Sequence, residues 1–287
     1  MKRASKPIIK LSETTKLKRI FRKYGVRTVC EESRCPNQSE CFSKGTATFL
    51  ILGDNCTRNC AFCNIERKKP LPLDPLEPFR ILKVVKSLNL KYVVITSVTR
   101  DDLPDGGAQQ FARCIRLLRE NIPSVKVEVL IPDFRGNEKS LKMVLEENPY
   151  VLNHNIETVH RLYPKVRKGA DYIRSLGILK KSKELAPNIL TKSALILGLG
   201  EKKEEIVQVL EDLREVNCDF LVIGQYYQPS LKHYPVVKYY SEEEFKDIEK
   251  IALSMGFKFV ISKPTARSSY LAKDFNNFYE DPAKRIS

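Results

Sequence analysis

Six of the eight cysteines in this chain of 287 residues fall into two triplets within its first quarter: Cys30-x4-Cys35-x5-Cys41 and Cys56-x3-Cys60-x2-Cys63. Each triplet is one thiolate short of a closed four-ligand site. A structural zinc site takes four ligands in a tetrahedron, usually from two Cys-x2-Cys pairs, and neither triplet has that form. An iron-sulfur cubane also takes thiolates, normally four, so three from the protein leave one iron open to another ligand. An open iron is a place where substrate chemistry can occur. A disulfide framework is the plainer alternative, but a chain of this length buries a core without staples, and its start shows no secretory pattern. Cys114 shares an apolar helical face with Phe111, Ile115 and Leu118, and Cys218 precedes an apolar run, so both read as core residues.

Elements that would position these cysteines follow in a regular alternation. Short β-rich runs at 48–52, 92–97, 125–131, 150–155, 193–198 and 220–226 alternate with helical stretches near 79–88, 107–120, 138–147, 170–185 and 203–216. Such alternation implies a parallel sheet with right-handed crossovers, and the near-continuous apolar strands imply a sheet covered on both faces. The expected fold is α/β: a partial (β/α)6 TIM-like barrel with N- and C-terminal extensions. We divide it into residues 1–45 with the first triplet, a core at 46–228, and 229–287 with a last helix at 242–255 and strand at 258–261. A first helix is expected from Ser12 as cap to Gly25 as stop, with 31–40 as loop. The second triplet directly follows the first strand of the core, and polar residues collect after the other strands, at the edge where such folds place their sites.

The bulk composition restricts the function. An apolar share of 42% with 30% charged residues is that of a soluble globular protein, and no apolar run approaches the length of a membrane span. A reducing, cytoplasmic setting is expected, with no membrane partner. The formal charge of +15 is spread along the chain without a nucleic-acid-binding motif, so a solvated surface or an acidic protein partner is favoured over nucleic acid.

Cys56-Thr-Arg-Asn-Cys60-Ala-Phe-Cys63 resembles the signature of the radical S-adenosylmethionine enzymes, including the aromatic Phe62 before the last cysteine. The first triplet resembles the auxiliary-cluster motif of the lipoyl synthase family. So do Gly45-Thr46-Ala47-Thr48-Phe49, the run from Thr96 through Asp101, Asp102, Asp105, Gly106 and Gly107 to Ala108, Asn153-His154-Asn155-Ile156-Glu157, Gly198-Leu199-Gly200-Glu201 and Arg267-Ser268-Ser269-Tyr270. The likeness covers roughly residues 20 to 272. Departures are Ala194 in place of a common glycine, Lys68-Lys69 after the cluster loop, and Pro264-Thr265-Ala266 before the serine motif. They leave open how the tail sits.

The resemblance implies an enzyme that inserts sulfur at C6 and C8 of an octanoyl chain on a lysine of a carrier protein. It implies two 4Fe-4S clusters and S-adenosylmethionine as cofactors, the second cluster being the sulfur source. Cys56, Cys60 and Cys63 would hold the cluster that binds S-adenosylmethionine. Cys30, Cys35, Cys41 and a serine, Ser268 in preference to Ser269, would hold the auxiliary one. An oxygen ligand is harder than thiolate and leaves more easily. Contacts to S-adenosylmethionine are expected from Thr96, Ser97, Asp101, Asp102, Asp105, Gly106, Gly107, Asn153, Asn155, Glu157, Arg167, Arg174 and Gln225. Partners would be octanoylated carriers (the lipoyl domain of dehydrogenase complexes or the H protein of glycine cleavage), a low-potential electron donor and an iron-sulfur cluster carrier. The alternatives are another radical sulfur inserter, such as a biotin synthase-like enzyme, or a non-catalytic iron-sulfur regulator that binds nucleic acid.

Overall fold

A computed structural model describes residues 11–32, 35, 37–43, 47–65, 67–270 and 272. Its eight strands form one open sheet in sequence order: β1 (Arg27–Thr28), β2 (Thr48–Ile51), β3 (Tyr92–Ser97), β4 (Lys126–Leu130), β5 (Val151–Asn153), β6 (Leu190–Leu197), β7 (Phe220–Gln225) and β8 (Phe259–Ser262). From β2 onward every pairing is parallel, and β1 runs antiparallel to β2 at one edge. The crossover helices are α4 (Glu77–Leu88), α5 (Ala108–Asn121), α6 (Glu138–Leu145), α8 (Tyr172–Leu185), α9 (Lys203–Glu215) and α10 (Glu242–Ser254), with a short α7 (Tyr163–Val166) before α8. This is the expected partial barrel. Both extensions are built into its sheet, since β1 pairs β2 and β8 adds a strand beyond β7.

The period of two along each strand divides the core. Outward residues such as Val93, Ile95, Val127 and Val129 pack in one buried layer with Ile81, Val85, Phe111 and Ile115 of α4 and α5. Leu195, Leu197, Leu221 and Ile223 share a second with residues of α9 and α10. Inward residues Tyr92, Val94, Val151, Leu190, Phe220 and Val222 pack against Ala266, Tyr270 and Ala272 from the end of the chain. The tail therefore fills the concave interior. Gly224 permits this, because a Cβ there would lie 2.2 Å from the Ala266 carbonyl oxygen.

Three expectations need correction. Residues 31–40 are not simply loop: α2 (Val29–Glu32) and α3 (Gln38–Ser43) carry Cys30 and Cys41. A reciprocal cap starts α2, with the Glu31 N–H on Thr28 Oγ1 at 3.3 Å and the Thr28 hydroxyl on the Glu31 carboxylate at 3.2 Å. The polar composition concealed that device. β6 also begins three residues before the expected start, because Lys192 on it is a buried strand residue. The first helix, α1 (Leu11–Tyr24), starts before the expected cap Ser12, whose side chain lies outside the described residues, as do Gly45 and Thr46.

Lys192 Nζ donates to Glu128 Oε1 at 2.6 Å inside the sheet, with both side chains fully buried. Glu128 also accepts from the Tyr92 hydroxyl at 2.7 Å and the Asn153 amide at 3.2 Å. Removing one member leaves an uncompensated interior charge, whereas replacing both by apolar residues of like size removes the desolvation cost as well. Glu128→Leu is expected to lower the unfolding free energy by about 3–5 kcal/mol, and the double variant Glu128→Leu/Lys192→Met by much less, in denaturant melts of the cluster-free protein.

Candidate functional site

The second triplet lies on the loop after β2, which turns through Leu52 and Gly53 at φ of 68° and 88°. Several bonds fix this loop over the strand ends. Thr57 N–H and its hydroxyl both donate to the Thr99 carbonyl at 3.0 Å, and the hydroxyl accepts from Asp101 N–H at 3.0 Å. Arg58 makes two bonds to Asp101 (2.8 and 2.9 Å) and two to Asp133 (2.6 and 2.9 Å), carboxylates that follow β3 and β4. Arg174 adds a bond to Asp133 at 2.8 Å. Burial alone would raise the Asp133 carboxyl, but the hydrogen bonds and charge of Arg58 outweigh it and hold the group well below the carboxylate range. Further along, Ala61 N–H donates to Val166 O and its carbonyl accepts from Tyr234 N–H, both at 2.8 Å, while His233 Nε2 meets the Cys63 carbonyl at 3.1 Å.

These contacts hold three half-buried thiols close enough to act on one another. Burial pushes the Cys60 thiol up to about 11, although Arg167 opposes it, and Cys63 up to about 12, with Cys60 and Cys56 adding to the rise. Among the described residues no three thiol, imidazole or carboxylate groups converge on a single ion. A cubane, by contrast, carries its thiolates on separate corners.

The first triplet has its own frame. Cys30 is buried in α2, its carbonyl accepts from Cys35 N–H at 3.0 Å, and Cys41 N–H donates to Asn37 O at 2.9 Å in α3. Burial, with Cys35 beside it, pushes the Cys30 thiol up to about 12. The chain's far end meets this frame: Asn37 Nδ2 donates to Thr265 O at 2.5 Å and the Tyr270 hydroxyl reaches the Glu40 carboxylate at 3.1 Å. Lys263 bonds Tyr270 from the other side at 2.9 Å, and the charge of Arg267 acts on Cys35. Despite its departures at Pro264-Thr265-Ala266, the tail thus lies against α3. Ser268 Oγ accepts from Asn153 Nδ2 and donates to Asn155 Oδ1, each at 2.8 Å.

The expected cofactor contacts separate into two sets. Much of one set is committed within the protein. Thr96 donates to Leu130 O, Asp101 holds Arg58, Asp102 holds Arg100, and Asp105 caps α5 through the N–H groups of Gly107 and Gln109. Gly106 and Gly107 have positive φ and admit Phe134 and Leu52, whose atoms would lie 2.9 and 2.3 Å from added Cβ atoms. Arg174 is taken by Asp133, and the Gln225 amide by Leu197 O, Tyr226 O, Lys238 O and Tyr240 N–H, because it closes the loop after β7.

The second set retains free capacity. Ser97 Oγ and Asn153 Oδ1 are buried without a hydrogen-bond partner at the ends of β3 and β5, and so are His154 Nε2 and Thr158 Oγ1 after β5, two residues outside the expected contacts. Glu157, at φ 64°, accepts from Asn155 at 2.9 Å, and burial raises its carboxyl although Arg167 opposes the rise. Arg167 is held by the Tyr163 hydroxyl at 2.8 Å and Ser175 at 3.0 Å. His154 Nδ1 sits 2.8 Å from Ile131 O, and burial with Arg167 nearby pushes the imidazole down to about 4, so it is neutral at physiological pH with Nε2 as acceptor. A ligand with an ammonium, a carboxylate and hydroxyls matches these groups, and S-adenosylmethionine has all three.

The family model described as Radical SAM superfamily matches residues 50–213. A lipoyl synthase of Aquifex aeolicus (strain VF5) is 68% identical over 267 residues, covering 93% of this chain and 97% of that protein. A lipoyl synthase of Caldicellulosiruptor saccharolyticus is 55% identical over 89% of this chain and 90% of its own length. Among solved structures, methylornithine synthase (PylB) superposes with a TM-score of 0.55 at 13% identity over 87% of this chain and 82% of its own. Streptococcus suis SuiB bound to precursor peptide SuiA superposes with a TM-score of 0.59 at 11% identity over 83% of this chain, which spans about half (54%) of SuiB. These last two likenesses establish the fold.

Arg58 was not among the expected site residues, although it lies inside the cysteine motif. Its replacement by Met leaves the buried Asp133 with Arg174 alone and the half-buried Asp101 with only the exposed Arg135, so iron retained at Cys56–Cys63 is expected to fall sharply while the first triplet keeps its share, with a stability loss below the ~3–5 kcal/mol of a fully stranded buried charge. Iron and sulfide per chain after anaerobic reconstitution, together with a melt, check this. The raised thiols must also give up protons to bind iron, so loading is expected to improve as pH rises from about 6.5 to about 8.5. Iron uptake that is flat across that range would contradict it.

Proposed function

Because the chain belongs to the lipoyl synthases of the radical S-adenosylmethionine superfamily, we propose that its two cysteine triplets divide the labour of sulfur insertion between them. The enzyme inserts two sulfur atoms, at C6 and C8, into protein-bound octanoyl-lysine to form the lipoyl group. When bound, the cluster at Cys56, Cys60 and Cys63 with S-adenosylmethionine supplies a deoxyadenosyl radical, and the auxiliary cluster supplies sulfur. The chain's own residues hold and orient these groups and exclude water.

Cys30, Cys35 and Cys41 would carry the auxiliary cluster, with Ser268 as the fourth ligand. The observation that carries this assignment is the docking of the tail on α3 through Tyr270–Glu40 and Asn37–Thr265. Ser268 must shed its proton to act as a ligand, and Asn155 Oδ1 already accepts that hydrogen while Asn153 Nδ2 donates to the oxygen. Asn153 thereby offers a hydrogen bond to an alkoxide or a hydroxyl alike.

For S-adenosylmethionine, Arg167 would pair the carboxylate, and Glu157 with Asn155 would accept from the ammonium or ribose. Ser97, Asn153, His154 and Thr158 supply the remaining buried polar atoms. Thr96, Asp101, Asp102, Asp105, Gly106, Gly107, Arg174 and Gln225 would shape the cleft without touching the ligand. Among the described residues no helix is long and apolar enough to cross a membrane, and a cytoplasmic setting suits two oxygen-sensitive clusters. A low-potential electron donor and a cluster carrier complete the proposed partners, beside the octanoylated carrier itself.

The test is a single turnover of the anaerobically reconstituted enzyme with S-adenosylmethionine, reductant and an octanoyl-lysyl peptide, read by mass spectrometry. The wild type is expected to add two sulfurs and release 5'-deoxyadenosine. Ser268→Ala is expected to keep deoxyadenosine release within about threefold yet lose sulfur insertion by more than about a hundredfold, while Ser269→Ala keeps both. The reverse pattern would move the ligand to Ser269.

A further inference from the structure

The basic excess of this chain has a local form at the mouth of the site. The cluster loop is bordered by residues 159–170, bonded to it through Val166 O, and by residues 226–240, bonded through Tyr234 N–H and His233. Neither border contains an aspartate or glutamate, in a chain that has 35 of them, and neither does the cluster loop from Cys56 to Ile65. The same borders carry Lys165, Lys168 and Lys232, all exposed. Lys238 is paired with Glu244 at 2.6 Å, and Arg161 with Glu205 at 2.7 Å, so the surplus rests chiefly on the three exposed lysines.

The second border also exposes large apolar side chains. Leu231 is 97% exposed at its tip, with Val237 at 60%, Tyr239 at 56% and Tyr227 at 41%. Fraying does not explain this exposure. The Gln225 amide ties both ends of the loop, to Lys238 O and Tyr240 N–H, and Val237 N–H bonds Gly198 O at 2.8 Å. Compact loops closed in this way, with apolar groups held in water by their own anchors, mark interaction surfaces. Tyr227 also connects rim to interior: its ring pairs with Tyr239 at 6.4 Å and lies under Arg267, the neighbour of Ser268, at 5.4 Å.

We propose that these two borders form the docking surface for the carrier protein that presents octanoyl-lysine, and that the carrier meets it with an apolar dimple ringed by carboxylates. The proposal rests on the reaction assigned above, which requires a folded partner to bring its acyl-lysine arm to this edge. Apolar anchors surrounded by one sign of charge suit a protein surface; a phosphate backbone would use the lysines and leave Leu231, Val237 and Tyr239 in water. Charge complementarity at the rim acts mainly on encounter and the apolar anchors on residence.

The experiment compares an octanoylated carrier domain with a short octanoyl-lysyl peptide as substrates of the reconstituted full chain. Two variants are used, Leu231→Asp and the triple Lys165→Glu/Lys168→Glu/Lys232→Glu. For the carrier, KM is expected to rise by about tenfold or more in each, and the salt dependence of kcat/KM to flatten in the triple variant. Peptide turnover is expected to stay within about twofold of wild type, which shows that fold and clusters are intact. An unchanged carrier KM, or an equal loss on carrier and peptide, overturns the docking surface. Loss of duplex DNA or RNA binding in the triple variant with carrier KM unmoved would assign the rim to nucleic acid and overturn it as well. A wild type that inserts sulfur into neither substrate would instead refute the assigned reaction.

Discussion

Arg58 is the residue through which the strand ends become a site. Parallel strands by themselves only align their termini; something must cross from one terminus to the next to fix a loop above them. One guanidinium does so here with four hydrogen bonds, because its planar fork matches two carboxylates at once, Asp101 after β3 and Asp133 after β4. The position of Cys56, Cys60 and Cys63 follows from that crossing, as does the role of Gly169, where a Cβ would already lie 3.4 Å from the Arg58 side chain. A lysine could satisfy one carboxylate as a point charge, but it could not bridge both in a fixed plane.

The second constraint is topological. An open sheet has a concave face that must be filled, and the chain fills it with residues that follow β8. Ala266, Tyr270 and Ala272 pack on Tyr92, Val94, Phe220 and Val222, and in doing so carry Arg267 and Ser268 to the ends of β5 and Tyr270 to Glu40 beside Cys41. Packing and site assembly are therefore one event. The apolar burial drives the tail inward, while the two hydrogen bonds to α3 set the depth and direction at which Ser268 arrives.

Much of this was legible in the sequence, and the failures have physical causes. Strand and helix periods located β3 and α9 almost to the residue because their apolar faces are complete. Cys30 and Cys41 were placed in a loop because α2 and α3 are each under two turns, too short to show a period, and only the Thr28–Glu31 cap signals one. Polar residues after strands are expected as ligand contacts, and several also serve the fold: Gln225 closes a loop, Asp105 caps α5, and Asp101 holds Arg58. A side chain that satisfies backbone groups and one that awaits a ligand have the same composition, and only their partners distinguish them. The unpartnered atoms of Ser97, Asn153, His154 and Thr158 are visible in three dimensions alone.

The buried pair of Lys192 and Glu128 shows how the apolar interior passes into the polar site. Charges at such depth are tolerated only when each hydrogen-bonding position is met, and Glu128 meets Lys192, Tyr92 and Asn153. Asn153 is then committed on one side to Glu128 and on the other to Ser268, and Ser268 to Asn155, which bonds Glu157. The chain of bonds runs from a dry, fixed charge pair to the mouth of the cleft, with each amide oriented by the one before it. The rotation of Asn153, and with it which of its atoms faces Ser268, is set by an ion pair fully buried in the sheet. An interior of apolar residues alone could pack as well, but it would leave the Asn153 amide free to turn.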